Sequence, residues 1–189
     1  PQLLDGLATL KLDEVAIHAR TVKGLYRTPV NYDAIAQAVK QLAKVGVPVI
    51  ANGEISSVAK AKWVQEKTQC AGVMCGRHAI RNPWIFRQLR DEKCVPVMAD
   101  VFEYIRALAV VVAQPKDSRE RIAARMKKYL NFVGTSIDEN GAFLHAMRRA
   151  KTPDEIFKIA EQFCLGANAQ NAFPPEPYAG LVARPNCEI

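Results

Sequence analysis

Three short apolar runs rich in β-branched residues constrain the fold of this chain more than any other feature. They lie at residues 15–17, 47–51 and 72–75, and each ends abruptly in polar or glycine-containing sequence. Runs of this kind are typical of strands buried on both faces of a sheet. A helical pattern that ends at Gly46 separates the first two runs, and another that begins at residues 56–57 separates the second two. This alternation predicts a parallel sheet with right-handed crossovers.

The pattern changes to helices alone after Pro96, and we place a domain boundary there. Residues 1–95 are predicted to form an α/β region, and residues 96–166 are predicted to be entirely helical. The remaining residues, 167–189, are rich in proline and have no periodicity. They are therefore expected to form a flexible tail.

Four helices are expected in the second region. The first begins at Asp100, with Glu103 three residues later as in a capping box. The second begins near Ser118, and the third spans residues 139–149. The fourth begins at Thr152, which is followed by proline at the first helical position and then by two acids.

Composition limits the class of protein and of partner. The chain has 26 Lys and Arg against 19 Asp and Glu, a net charge of +7 that favours a polyanionic partner without identifying one. Its five cysteines include no CxxC pair, so we expect reduced thiols and no metal site. No window approaches the roughly 18 apolar residues of a membrane helix, and the first residues do not resemble a secretory signal. A soluble, cytoplasmic protein without a membrane partner is expected, and a first residue that is Pro rather than Met indicates that a segment precedes it.

Small and polar residues follow each predicted strand, at the edge where parallel α/β sheets bind their ligands. These candidates are His18 and Arg20 after the first run, Asn52, Gly53 and Glu54 after the second, and Gly76 and Arg77 after the third. A glycine lets backbone N–H groups approach an anion and an arginine adds charge, so the Gly-Arg pair has the form of a phosphate-binding turn. Each piece alone is also compatible with an ordinary turn, a strand-end histidine or a helix-starting carboxylate. Their occurrence at three successive strand ends favours a ligand site.

Five linked motifs share the order and spacing of a known family. They are residues 17–21 (IHART), 26–27 (YR), 49–55 (VIANGEI), 72–77 (GVMCGR) and 82–86 (NPWIF). In these motifs the chain resembles the tRNA-dihydrouridine synthases, over roughly residues 5 to 165. Residues 124–130 are most similar to the bacterial C-type branch, although Tyr129 stands where that branch often carries Trp. The chain also departs from the usual family pattern at Ala19, Cys75 and His78, where Gly, Ile and Gly are usual.

The resemblance implies an FMN-bearing (βα)8 TIM barrel, of which about three βα units of the C-terminal part lie here, followed by an all-α helical bundle. It implies reduction of a specific uridine in tRNA to dihydrouridine, with NADPH as the reductant. Asn52, Gly53, Glu54, Gly76 and Arg77 would line the ribityl-phosphate end of FMN, with His18 and Arg20 near the flavin ring. The positions that match tRNA contacts are Tyr26, Arg125, Lys127, Lys128, Tyr129 and Arg148.

The residues of the helical region agree with an RNA surface. Residues 119–151 contain eight basic side chains and three acidic ones. Arg121, Arg125 and Lys128 fall at positions i, i+4 and i+7, which places them on one helical face. Such a row can follow RNA phosphates, and Tyr129 could provide a stacking surface. A merely solvated basic face is the alternative.

Only three of the eight barrel strands are expected in this chain, since a complete barrel needs roughly 200 to 250 residues. The resemblance places the family's proton-donating cysteine in a missing N-terminal half, so no catalytic residue is assigned here, and that half is a candidate partner. We therefore expect the chain to be inactive alone. One alternative is a non-catalytic RNA-binding module derived from the family. Another is a different flavin or phosphate barrel, similar to dihydroorotate dehydrogenase, against which the basic helical region argues.

Overall fold

A computed structural model describes residues 2–21 and 28–183 of the chain, which divides into two compact units at residues 1–78 and 79–189. The strands are β1 (Val15–His18), β2 (Val49–Asn52) and β3 (Gly72–Met74). The helices are α1 (Gln2–Ala8), α2 (Tyr32–Leu42), α3 (Val58–Thr68), α4 (Arg77–Arg81), α5 (Ile85–Arg90), α6 (Met98–Val112), α7 (Arg119–Val133), α8 (Ala142–Arg149) and α9 (Pro153–Cys164). Within the described ranges, no helix is long and apolar enough to cross a membrane.

The three strands form a parallel sheet in the order β1-β2-β3, as the alternation of apolar runs and helical patterns predicts. His18 at the end of β1 pairs with Asn52 at the end of β2, and Asn52 pairs in turn with Met74 of β3. Because the strands are parallel and end in register, the residues that follow them lie along one edge of the sheet. This α/β arrangement is consistent with part of a TIM barrel.

Side-chain caps fix where the two crossover helices begin. The Asn31 side chain accepts a hydrogen bond from the backbone N–H of Ala34 (3.0 Å) at the start of α2. Ser57, one of the two serines expected to begin α3, accepts from the N–H of Lys60 (3.1 Å). Each cap satisfies a backbone donor that the first helical turn leaves without a partner.

In the second unit, α6, α7, α8 and α9 share one hydrophobic core. Each contributes buried residues four positions apart, which places them on one helical face. These residues are Val101 and Ile105, Met126 and Leu130, Phe143 and Met147, and Ile156 and Ala160.

The compact units divide at residues 78 and 79 rather than at the predicted boundary between 95 and 96. The reason is that the segment before Pro96 packs within the second unit. Trp84 lies against the core of that unit, with its ring centroid 6.1 Å from that of Tyr104 and 5.8 Å from that of Phe173. These aromatic contacts join the segment before Pro96 to the second unit, although the sequence pattern changes only after that proline.

Two predicted helix starts are wrong, by two and by three residues. In each case an aspartate accepts hydrogen bonds from backbone N–H groups near the helix start, but from a position that the prediction did not give it. Asp100 lies inside the first turn of α6, where its carboxylate accepts from the backbone N–H of Val97 (2.9 Å). The third helix was expected from residue 139, but α8 begins at Ala142. Asp138, ahead of that helix, accepts from the N–H groups of Ala142 and Phe143 at 2.8 and 2.9 Å.

The prediction of a flexible tail from residue 167 is wrong for the described residues up to 183. Phe173 is only 3% exposed, and its backbone N–H donates to the carbonyl of Pro96 (2.8 Å). The N–H of Tyr178 donates to the carbonyl of Thr135 (2.9 Å). The segment lacks periodicity because it is held by long-range contacts of single residues instead of by a regular element.

Candidate functional site

The seven strand-end residues singled out by the sequence line one cleft of about 300 Å³ in the first unit. The cleft is lined by His18, Arg20, Asn52, Gly53, Glu54, Ile55, Met74, Gly76, Arg77 and His78. Three separate segments of the chain therefore converge on a single space. The register of the parallel sheet is the cause, since it brings the carboxyl ends of β1, β2 and β3 together.

His18 and Asn52 connect the ends of β1 and β2. His18 Nδ1 lies 3.0 Å from the backbone oxygen of Asn52. Because a carbonyl oxygen only accepts, Nδ1 is the donor in this contact, which holds the imidazole ring at the end of β2. The Asn52 side-chain amide donates to the Met74 sulfur (3.1 Å), which extends the connection to β3.

Gly53 turns the chain out of β2 with a backbone conformation that favours glycine. Its φ is +134°, and the next residue, Glu54, also has a positive φ of 50°. A Cβ at Gly53 would lie 2.9 Å from Val30 Cγ2 and 3.1 Å from His18 Nδ1. A side chain at this position would therefore be strained and would also disturb His18.

Arg20 and Glu54 form an ion pair across the ends of β1 and β2. The Arg20 side chain is only 4% exposed, and its Nε also donates to the carbonyl of Thr28 (2.8 Å). A buried guanidinium needs such partners, because removing it from water without them costs several kcal/mol. The sequence placed both residues at the site but did not predict their pairing, although opposite charges after neighbouring strands were the available signal.

Tyr32 is a site residue that sequence reasoning missed. It begins α2 and is buried, and its hydroxyl donates to the carbonyl of Gly53 (2.8 Å). Burial, together with the nearby Glu54 carboxylate, raises the pKa of Tyr32 to about 12, while Arg20 acts in the opposite direction. The tyrosine therefore stays neutral and supports the Gly53 turn from outside the cleft.

Gly76 and Arg77 complete the cleft at the end of β3. A Cβ added at Gly76 would meet no heavy atom within 4 Å, so its backbone faces open space. Arg77, the first residue of α4, contributes a cationic side chain to the lining. An accessible glycine backbone beside a guanidinium is the arrangement that a phosphate group needs.

The described cysteines do not contribute to this cleft. Cys70, Cys75, Cys94 and Cys164 are free thiols, and none of them is among the lining residues. Burial raises the pKa of Cys75 and raises that of Cys164 to about 12. Cys75 and Cys164 are therefore poor sources of thiolate at neutral pH.

Several of the predicted RNA-binding residues of the second unit form side-chain hydrogen bonds within that unit. The Arg125 guanidinium donates to Asp117 (2.7 Å), to the carbonyl of Val112 (3.0 Å) and to the side chain of Gln114 (2.9 Å). It thereby holds the loop between α6 and α7 against α7. Arg125, the central residue of the predicted Arg121, Arg125 and Lys128 row, is therefore already paired with a carboxylate of its own unit.

Lys127 and Arg148 link α7 to α8. Lys127 Nζ donates to the carbonyl of Arg148 (3.0 Å), and burial lowers the pKa of this lysine while Glu155 acts in the opposite direction. Arg148 Nε donates to the side chain of Asn131 (2.8 Å), and its Nη2 donates to the carbonyl of Val182 (3.1 Å). Both side chains therefore stabilise the packing of the unit.

Lys128 and Tyr129 lie on a more open surface of α7. Together with Arg125 and Tyr104 they line a cavity of about 710 Å³, and Tyr129 is 39% exposed. This is the part of the predicted RNA surface that retains an aromatic ring and cations beside open space. Tyr26, the remaining predicted contact, lies outside the described residues.

The fold and the cleft define an α/β protein with a polar cleft at the carboxyl ends of its parallel strands. The dihydrouridine synthase family model matches residues 8–170, and the chain belongs to this family. The motif-based assignment to the family is therefore confirmed.

Individual relatives agree with this family. The chain is 38% identical over 166 residues to tRNA-dihydrouridine synthase B of Pasteurella multocida, covering 80% of this chain and 46% of the relative. It is 29% identical over 173 residues to the tRNA-dihydrouridine(16) synthase of Haemophilus ducreyi, covering 91% and 52%. A probable tRNA-dihydrouridine synthase of Helicobacter pylori is 44% identical over 91 residues, covering 48% and 27%. The chain thus spans about half the length of its relatives or less, and its resemblance to the C-type branch stays a prediction.

Proposed function

We propose that the cleft binds FMN and that the protein takes part in the NADPH-driven reduction of a specific uridine in tRNA to dihydrouridine. The observation that carries this proposal is the convergence of seven residues from three strand ends on one cleft. The names of the relatives, which act on tRNA, supply the reaction class. We place this activity in the cytoplasm.

The cleft residues fit the chemistry of FMN. The accessible backbone of Gly76 and the cation of Arg77 suit the phosphate, and Asn52, Gly53 and Glu54 offer polar groups for the ribityl chain. Bound FMN would supply hydride transfer between NADPH and the uracil ring. The protein's own contribution is a polar surface whose side chains are connected by the His18–Asn52 hydrogen bond and the Arg20–Glu54 ion pair.

In this proposal, His18 lies near the flavin ring. Its Nδ1 donates to the backbone carbonyl of Asn52, and this contact holds the ring in one orientation. The Arg20–Glu54 ion pair keeps a buried charge neutralised beside it. A fixed ring and a paired charge need little reorganisation during turnover.

The second unit is proposed to bind tRNA. Lys128 and Tyr129, beside the cavity on α7, provide a cation and an aromatic surface. Lys127, Arg125 and Arg148 have a supporting role, because their side chains already bond within the unit. The proton donor is proposed to be a cysteine supplied by the rest of the family's barrel, and we therefore expect no dihydrouridine formation by this chain alone.

The test is binding of FMN by the protein, measured by equilibrium dialysis, for wild type and two arginine variants. Arg77→Ala removes the proposed phosphate partner and should weaken FMN binding about ten-fold or more. Arg90→Ala removes an exposed arginine outside the cleft and should leave FMN binding unchanged. Equal affinities for wild type and Arg77→Ala would contradict the assignment of the cleft.

A further inference from the structure

An exposed tryptophan lies on the surface of the first unit, outside the residues that line the cofactor cleft. Trp63, on α3, is 43% exposed. Its ring meets that of Tyr32 edge-on, with the two centroids 5.2 Å apart. A large aromatic ring that is held in place from one side and open on another is suited to stacking against a planar ligand.

Two lysines of α3 lie against this aromatic pair. Lys60 Nζ is 4.0 Å from the ring centroid of Trp63 and 4.9 Å from that of Tyr32. Lys67 Nζ is 5.6 Å from the Trp63 centroid and 2.9 Å from an oxygen of Asp33. Among the described residues, Lys60 forms no ion pair with a carboxylate. Its positive charge is therefore held beside the indole and is available to an anion.

A cavity of about 680 Å³ adjoins these side chains. Its lining includes Tyr32, Lys60, Trp63 and Lys67, and it extends to the Arg20–Glu54 pair, which also lines the cofactor cleft. Sites for small ligands commonly measure about 300 to 1,000 Å³, so this cavity has room for a nucleotide. An aromatic wall with an adjacent cation matches a ligand that carries both a planar base and a phosphate.

We propose that this cavity binds a phosphate-bearing nucleotide, with its base against Trp63 and its phosphate at Lys60. The function proposed above involves two molecules that carry such a nucleotide, and the identity of the ligand rests on that function. One source is a nucleotide of tRNA, and the other is the phosphorylated adenosine portion of NADPH. Either ligand would adjoin the cofactor cleft, because the two spaces share Arg20 and Glu54.

Tryptophan fluorescence provides a direct readout of this site. The chain has two tryptophans, and subtracting the emission of Trp63→Phe from that of wild type removes the contribution of Trp84. Wild-type protein is titrated separately with NADP⁺ and with transcribed tRNA. Saturable quenching of the Trp63 signal by NADP⁺ supports the dinucleotide as the source, and quenching by tRNA supports the RNA nucleotide.

Two lysine variants of the same helix test the phosphate contact. Lys60→Ala should weaken binding of the quenching ligand about ten-fold. Lys62→Ala removes the same charge from an exposed position of α3 outside the cavity lining and should leave the affinity close to wild type. Circular dichroism and thermal unfolding establish that both variants are folded.

Two results would overturn the proposal. One is the absence of saturable quenching with both NADP⁺ and tRNA, and the other is an equal effect of Lys60→Ala and Lys62→Ala. A parallel FMN titration separates this failure from failure of the proposed function. If wild type binds FMN but neither nucleotide probe, only the nucleotide cavity is wrong, whereas loss of FMN binding itself contradicts the function proposed above.

Discussion

At the scale of single residues, Gly53 joins the architecture of the sheet to the geometry of the cleft. It takes a positive φ at the end of β2, and its carbonyl accepts a hydrogen bond from the Tyr32 hydroxyl. A side chain at this position would contact Val30 and His18. The same residue thus permits the turn and leaves the histidine ring undisturbed. Small changes here are expected to affect both stability and cofactor binding.

Gly53→Ala is predicted to destabilise the protein by about 1–3 kcal/mol, because the new methyl group meets Val30 in a strained backbone conformation. It should also weaken FMN binding, since His18 must shift. Chemical denaturation and FMN titration measure the two effects. Gly6→Ala, in α1 with no heavy atom near the added Cβ, is the matched control and should not lower stability. A Gly53→Ala protein as stable as wild type would contradict the structural role given to this glycine.

Because of Tyr32, the protein is predicted to lose stability at alkaline pH. Its pKa is raised to about 12 in the folded protein, against about 10 in an unfolded chain, so the unfolded state loses the proton first as pH rises. The contribution is therefore fully present below pH 10 and is lost as the pH rises through 12, by about 3 kcal/mol in all, of which roughly 1 kcal/mol is lost by pH 11. Urea denaturation at pH 8 and pH 11 measures it.

Tyr32→Phe is the control for this pH dependence. It removes the titrating hydroxyl and the hydrogen bond to Gly53, and should lower stability at pH 8 by about 1 kcal/mol. Its further loss between pH 8 and pH 11 should be smaller than that of wild type. Parallel losses in the two proteins would show that Tyr32 does not titrate as described.

At the scale of elements, α4 is connected to the C-terminal segment by one buried arginine. Arg81 is 2% exposed, and its guanidinium donates to Ser136 (2.8 Å) and to the carbonyl of Pro174 (3.1 Å). Burial lowers the pKa of Arg81, while Glu176 acts in the opposite direction. A proline-rich segment without regular structure is thereby fixed by side-chain hydrogen bonds to its carbonyls.

Arg81→Ala is predicted to cost about 3 kcal/mol of stability, because Ser136 and the proline carbonyls lose a charged donor in a buried setting. The segment around Pro174 should then become sensitive to limited proteolysis. Arg87→Ala, which removes an exposed arginine of α5, should change neither property appreciably. Unchanged proteolysis of the Arg81 variant would refute this anchoring role.

At the scale of the whole molecule, regular elements with strong local signals were predictable. The three β-branched runs predicted the parallel sheet, and the Thr152 cap with Pro153 predicted where α9 begins. The short helix α1 was not predicted, because its seven residues are too few to show a clear helical periodicity and include Gly6. The tail was mispredicted because contacts such as that of Phe173 with Pro96 join residues far apart in sequence.

The candidate site was predictable to the extent that it depends on strand ends. His18, Asn52 and Arg77 could be placed at one edge of the sheet from their positions alone. Pairings across the site, such as Arg20 with Glu54, depend on register and side-chain conformation, which periodicity does not encode. Likewise, helical spacing predicted the face of α7 on which Arg125 lies. It did not predict the hydrogen bond from Arg125 to Asp117 in the preceding loop.

Binding of FMN at the strand ends can be located on the ¹⁵N-labelled protein by the shifts of its backbone amide resonances. If the cleft is the cofactor site, the largest shifts on adding FMN should occur at Gly53, Glu54, Gly76 and Arg77. The amides of α9, in the other unit, should change little. Saturable shifts centred elsewhere, or none at all, would contradict the claim that these strand ends form a flavin site.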